Sequence, residues 1–173
     1  MIQLRRMRPQ DWQVWRDVRL RMLEDYPIAF TESLEQAVQN TEAQWQEFAG
    51  RATGKSSISI LAIDPAAAEG EQAVGTMSCY VEDDGTAWLA AVWVAPAHRG
   101  TGLAARLLDE ILGWVRTESE AKALKLGVHE DNRRALAFYQ RHGFIDRGER
   151  EPYLLDAARQ EIILELPMEA LQA

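Results

Sequence analysis

Arg99, Gly100 and Gly102 sit where a β-rich run gives way to a helical one, in Val94-Ala95-Pro96-Ala97-His98-Arg99-Gly100-Thr101-Gly102-Leu103-Ala104-Ala105. Glycines spaced this way let a backbone approach a ligand without Cβ interference. A helix beginning just beyond them presents unpaired N–H groups at the positive end of its dipole. That combination suits a pyrophosphate. A dinucleotide reading is one way to use it, because Gly100-x-Gly102-x-x-Ala105 meets the G-x-G-x-x-G/A pattern and Glu130 follows the next strand as a ribose acid would. That pattern belongs to a turn directly after an N-terminal parallel strand, however, and here a hairpin comes first and Pro96-Ala97-His98-Arg99 separates strand from glycine. The one cysteine, Cys79, lies in an apolar run and reads as a packed hydrophobe rather than an acyl-carrying nucleophile. His98 and His142 flank a turn and a helix end, so no metal site is expected.

The elements that must position these residues follow from periodicity and punctuation. Ile2–Arg5 alternates as a strand, and Trp12, Trp15, Val18, Leu20 and Leu23 recur at helical spacing until Tyr26-Pro27. Ser33 and Gln36 form a capping-box pattern, which predicts one second helix running to Gly50. Ile58–Ile63 reads as a strand and 64–72 as an exposed loop. Val74–Val81 and Thr86–Val94 flank Glu82-Asp83-Asp84-Gly85 and predict an antiparallel hairpin. Leu103, Leu107, Leu108, Ile111, Trp114 and Val115 form the apolar stripe of a helix that must pack on the sheet. Leu124–Val128 is a further strand, Asp131-Asn132 caps a helix from about Arg133 to His142, and Gly143 stops it. Strands at Phe144–Arg147 and Glu161–Leu166 close the chain. The expected fold class is α+β: a mixed, mostly antiparallel central sheet flanked by helices on both faces.

Whole-chain properties narrow the function further. The 173 residues are expected to form one domain, long enough to bury about two-thirds of their unfolded surface. A net charge of −8 argues against a partner tracked along a basic face, so no nucleic acid is expected. A single cysteine and an N-terminus without an apolar signal core favour a cytoplasmic, soluble protein. No apolar stretch approaches the roughly 20 residues of a membrane span.

Arg99-Gly100-Thr101-Gly102-Leu103-Ala104, with Val94-x-Pro96 upstream, resembles the R/Q-x-x-G-x-G/A signature of the GNAT (Gcn5-related) N-acetyltransferase superfamily. Asn132 through Tyr139, followed by Gly143-Phe144, resembles that family's N-x-x-A-x-x-x-Y…GF segment. The resemblance implies transfer of an acetyl group from acetyl-CoA to a primary amine of a small molecule or peptide. It implies that Gly100, Gly102, Leu103 and Ala104 offer N–H donors to the pyrophosphate, with Arg99 as a cationic flank. Val92 and Val94, on a bulged strand splayed from its parallel neighbour, would pair with the pantetheine arm. Asn132 would bond an amide of that arm. Tyr139, seven residues on and so on the same helix face, would be the catalytic acid.

The resemblance is less complete on the acceptor side. Several family members carry a carboxylate on the splayed strand as a base, but Leu89-Ala90-Ala91 presents none. His129, Glu130, Glu82 or water remain as substitutes. Tyr26, Phe30, Trp88 and Tyr153 are the expected apolar walls of the acceptor cleft. A homodimer and an acyl group longer than acetyl stay open. So does the alternative of a non-catalytic acyl-CoA-binding sensor or partner module, since a fold does not establish catalysis.

Overall fold

In the computed structural model, which describes residues 1–172, the strands are β1 (Gln3–Arg6), β2 (Ser57–Ile63), β3 (Ala73–Val81), β4 (Thr86–Val94), β5 (Ala123–His129), β6 (Ile145–Tyr153) and β7 (Asp156–Leu166). They form one sheet in the order β1-β2-β3-β4-β5-β7-β6. Every neighbouring pair is antiparallel except β4 with β5. The helices are α1 (Trp12–Asp25), α2 (Leu34–Ala37), α3 (Glu42–Arg51), α4 (Leu103–Thr117), α5 (Arg133–Arg141) and α6 (Met168–Gln172). None is long and apolar enough to cross a membrane.

Adjacent residues of β3 show that helices cover both faces. A Cβ on Gly75 would meet Leu107 of α4 at 3.4 Å, so that face is α4's. Thr76 points the other way and pairs in register with Trp93, whose indole donates to Asp25 at the end of α1 and carries the Arg21 guanidinium 5.1 Å above it. The predicted stripe of α4 is buried in full, with Leu107, Leu108 and Ile111 wholly inaccessible. Each such aliphatic side chain is worth about 1.5–3 kcal/mol of burial.

The structure differs from the sequence reading in three respects. The single helix expected from Ser33 to Gly50 is two, because a second capping box restarts the chain. Thr41 Oγ1 accepts from Gln44 N at 3.3 Å while Gln44 Oε1 accepts from Thr41 N at 2.8 Å. The closing strands are far longer than Phe144–Arg147 and Glu161–Leu166, and they join in one long hairpin. Almost all of β6 is exposed on both faces, so no alternation marked it. The short α6 follows the last strand and was not anticipated.

Candidate active site

The parallel pairing of β4 with β5 covers only Thr86–Trp88 against Ala123–Lys125. Beyond Trp88 the two strands part. β4 bulges there: Thr76 pairs with Trp93 and Ser78 with Ala90, so Ala91 and Val92 together oppose Met77. Ala91 takes φ +50°, an uncommon conformation for a residue with a Cβ. The result is a wedge whose β4 edge, including Val92 and Val94, has no ladder partner on the β5 side. The wedge opens into a cleft of about 1490 Å³, larger than a pocket for one drug-sized ligand and roomy enough for two substrates.

One end of the cleft is the glycine turn. Gly100 and Gly102 adopt φ +76° and +83°, and a Cβ on either would meet nothing within 4 Å, so both glycines keep the approach open. The first bond of α4 runs from Arg106 N to Gly102 O at 3.1 Å, which leaves the amides of Leu103, Ala104 and Ala105 without a helical acceptor. Arg99 is not a loose cation beside them. Its guanidinium pairs with Asp25 and its Nε donates to Val94 O at 3.0 Å, while Trp93 Nε1 donates to the same Asp25 at 2.8 Å. Asp25, unmarked by any motif, therefore ties α1, the bulged strand and the turn into one brace.

Asn132 and Tyr139 both line the cleft and are both buried. Asn132 caps α5, its Oδ1 accepting from Ala135 N at 3.2 Å, and its amide NH₂ remains available. The Tyr139 ring packs edge-on to Phe138 and Phe144 at 5.2 and 5.5 Å between centroids. Burial alone pushes its phenol well above the ordinary tyrosine range, so it stays protonated and keeps its O–H as a donor. Cys79 is 1% exposed and its thiol is pushed up to about 12 by burial, which leaves no thiolate for covalent transfer.

The four substitute bases fare unequally. Glu130 turns away to β7, where its carboxylate accepts from Gln160 N and Nε2, both at 3.3 Å. His129 is 4% exposed and lines the cleft, but its Nδ1 accepts from Asp131 N at 3.1 Å, which assigns the proton of the neutral ring to Nε2. Glu82 stands exposed at the rim and accepts from Trp88 Nε1 at 3.1 Å. Water is the fourth.

Of the expected walls, Tyr26, Phe30 and Trp88 line the cleft. Tyr153 instead packs edge-on to His129, 4.7 Å between centroids, and donates its hydroxyl to Phe30 O at 2.7 Å. It is a latch between two walls. Glu161 escaped the sequence reading altogether, because it sits in a polar stretch and only the strand register brings it opposite His129 and Glu151 in the cleft.

Comparison with known proteins agrees with this geometry. The chain is similar in structure to an acetyltransferase of the GNAT family from Streptococcus pneumoniae, at TM-score 0.74 and 17% identity over 95% of this chain and 98% of that one. It is similar to spermidine N-acetyltransferase from Vibrio cholerae in complex with CoA and spermine, at TM-score 0.74 and 14% identity over 99% and 98%. Arabidopsis thaliana NAA60 in complex with acetyl-CoA matches at TM-score 0.69 and 16% identity over 95% and 97%. Among curated protein sequences no match is found. The model of the acetyltransferase (GNAT) family matches residues 15–144, across the bulged strand, the glycine turn and the Asn132–Tyr139 helix. With that match over most of its length, the chain belongs to the GNAT acetyltransferase family.

Proposed function

We propose that this chain, acting as one catalytic domain, moves the acetyl group of acetyl-CoA to a primary amine of a small molecule or peptide by direct attack. One observation carries the reading. The unpaired edge of bulged β4, the open amides of α4 and Tyr139 all border the same cleft. Acetyl-CoA is the cosubstrate, and the residues present suit it: a Cβ-free turn for the pyrophosphate and a free strand edge for an extended amide-bearing arm.

When bound, acetyl-CoA supplies the activated acetyl thioester. Backbone amides of Gly100, Gly102, Leu103 and Ala104 hold the pyrophosphate, and the Asp25–Arg99 brace keeps that turn in place against β4. Val92 and Val94 pair with the arm, and the Asn132 NH₂ bonds one of its carbonyls. The Val92 N–H polarises the reacting carbonyl. Tyr139 donates to the departing sulfur. Its raised pKa makes full proton transfer uphill, so stabilisation comes chiefly from a hydrogen bond to the developing thiolate.

The test is release of free CoA thiol with a panel of amines, run beside thermal shifts with acetyl-CoA, CoA and NAD(P). Stabilisation by CoA species together with amine-dependent thiol release is expected. The bare Leu89-Ala90-Ala91 stretch favours a second reading, an acyl-CoA sensor. Stabilisation by acetyl-CoA without thiol release from any amine would replace the enzyme by that sensor.

A further inference from the structure

We propose that Glu161 takes the proton from the acceptor's ammonium, so that the acceptor is a basic amine bound as its cation. The inference rests on the acetyl-transfer reading. An alkylamine with a pKa near that of lysine, about 10.4, is neutral in roughly one molecule per thousand or fewer at pH 7, and only the neutral form attacks. The splayed part of β4 has no titratable group, Glu130 faces elsewhere, His129 commits its Nδ1 to the backbone, Glu82 stands exposed at the rim against Trp88 Nε1, and Glu32 is paired with Arg19. Glu161 remains, inside the cleft.

Its position is set by a glycine diagonal to it on β5, Gly127, which pairs in register with Ile163. A Cβ at Gly127 would lie 3.2 Å from Glu161 Oε2, so the carboxylate occupies the space a side chain there would fill. Gly127 belongs to the part of β5 that has left β4, which makes it a wall of the wedge. The groups facing Glu161 are His129 on β5 and Glu151 and Tyr153 on β6. Burial and the Glu151 charge push the Glu161 carboxyl up, and His129 opposes them weakly. Among the described residues no lysine or arginine forms an ion pair with it.

Like charges directly opposite on paired strands are unfavourable. A cation between Glu151 and Glu161 removes that penalty. A second observation points to the same ligand space: His129 is buried to 4% exposure, lines the cleft, and has an Nε2 bonded to none of the described residues. A carboxylate whose pKa has risen toward the working pH is also the better proton acceptor.

In the step, one N–H bond of the ammonium breaks and its proton passes to a Glu161 oxygen, then to water. The freed lone pair forms the C–N bond to the acetyl carbon while the C–S bond breaks. The sulfur leaves with that bonding pair and, assisted by Tyr139, gains the second proton lost by nitrogen. Glu151 holds the cation before transfer.

The experiment compares wild type with Glu161→Gln on spermidine and phenethylamine, which are basic, and on aniline, which is already neutral at pH 7. For the basic amines kcat/KM is expected to fall roughly 10²–10³-fold, with acetyl-CoA affinity unchanged. The wild-type rate should rise through the Glu161 titration and then level. The variant should track the free-base amine, about tenfold per pH unit below the amine's pKa. Aniline should be acetylated equally by both. Gly127→Ala keeps Glu161 but displaces its carboxylate, and should lower basic-amine turnover roughly three- to tenfold even if the first variant folds poorly. Equal loss with aniline, or no loss with the basic amines, overturns the assignment while leaving acetyl transfer intact. No thiol release from wild type with any of the three, despite acetyl-CoA binding, overturns the acetyl-transfer reading itself.

Discussion

Around the α4 turn the groups offered to a ligand are backbone amides, whereas around β6 and β7 they are carboxylates and aromatic rings. A backbone site needs special dihedrals, and those require glycine at fixed places in one contiguous stretch, as at Gly100 and Gly102. A side-chain site needs only that distant segments meet. Glu151, Glu161, His129 and Phe30 come from four separate parts of the chain and share no local pattern. The first kind of site is rigid and suited to one invariant ligand, and the second can be retuned residue by residue.

The sharpest way to break this comparison is at its junction, Tyr139. Tyr139→Phe keeps the ring contacts with Phe138 and Phe144 and deletes the donor. The expected result is a roughly 10–10³-fold fall in kcat with acetyl-CoA affinity unchanged. The sign of its pH effect follows from burial. Because the phenol is shifted upward, it is still protonated when an ordinary tyrosine, near pKa about 10, would begin to ionise. Wild-type activity should therefore show no alkaline decline from this group below about pH 10. Wild-type kcat in the phenylalanine variant would reduce Tyr139 to a packing residue.

Gly102→Val tests the backbone half alone. Its Cβ would meet no neighbour, so the cost is conformational: an L-residue at φ +83° costs at least about 1–2 kcal/mol, and a β-branch adds to it. The turn can relax only by moving the amides it presents. KM for acetyl-CoA should rise roughly ten- to hundredfold, the equivalent of one or two lost charge-assisted hydrogen bonds, while the basic-amine KM holds. A folded variant with unchanged acetyl-CoA affinity would remove the turn from the site.

Asp25→Ala probes whether the brace matters to that half. The substitution leaves Arg99 and Trp93 Nε1 without their shared acceptor. We expect a several-fold rise in KM for acetyl-CoA and a stability loss of about 1–3 kcal/mol, read as a lowered Tm. A tighter KM would instead show that Arg99, once released, binds the pyrophosphate itself.

The legibility of the molecule divides along the same line. Hairpin β3–β4, helix α4 and its turn, and the Asn132 cap were readable because their signals are local: a four-residue turn, an apolar stripe, and glycines before a helix. The restart at Thr41 was equally local but was hidden by apolar residues that continue through it at near-helical spacing. β6 was legible only at its start, within the expected Phe144–Arg147 strand, for a different reason. Exposed on both faces, it is held by its ladder to β7 rather than by a buried stripe, and no period can mark such a strand. The unmarked stretch beyond Arg147 concealed the register that sets Glu151 opposite Glu161. Asp25 was missed because an aspartate at a helix end is ordinary until Trp93 and Arg99 arrive from 68 and 74 residues away.

The smallest effect expected is the most selective. Tyr153→Phe deletes one hydroxyl and preserves the edge-on contact with His129, so it isolates the bond to Phe30 O. Phe30 is 6% exposed, and its carbonyl loses a donor in a place water reaches poorly. That costs about 1 kcal/mol, or roughly 2–4 °C in Tm for a chain of this size. The latch joins the loop after α1 to the end of β6, and Phe30 and Glu151 in those two segments line the cleft. Loosening it should raise KM for a basic amine about two- to fivefold, since the walls lose fixed separation, and should leave KM for acetyl-CoA and kcat at saturation unchanged. If acetyl-CoA and amine KM values instead rise together, the two halves are mechanically coupled and the division between a backbone half and a side-chain half fails.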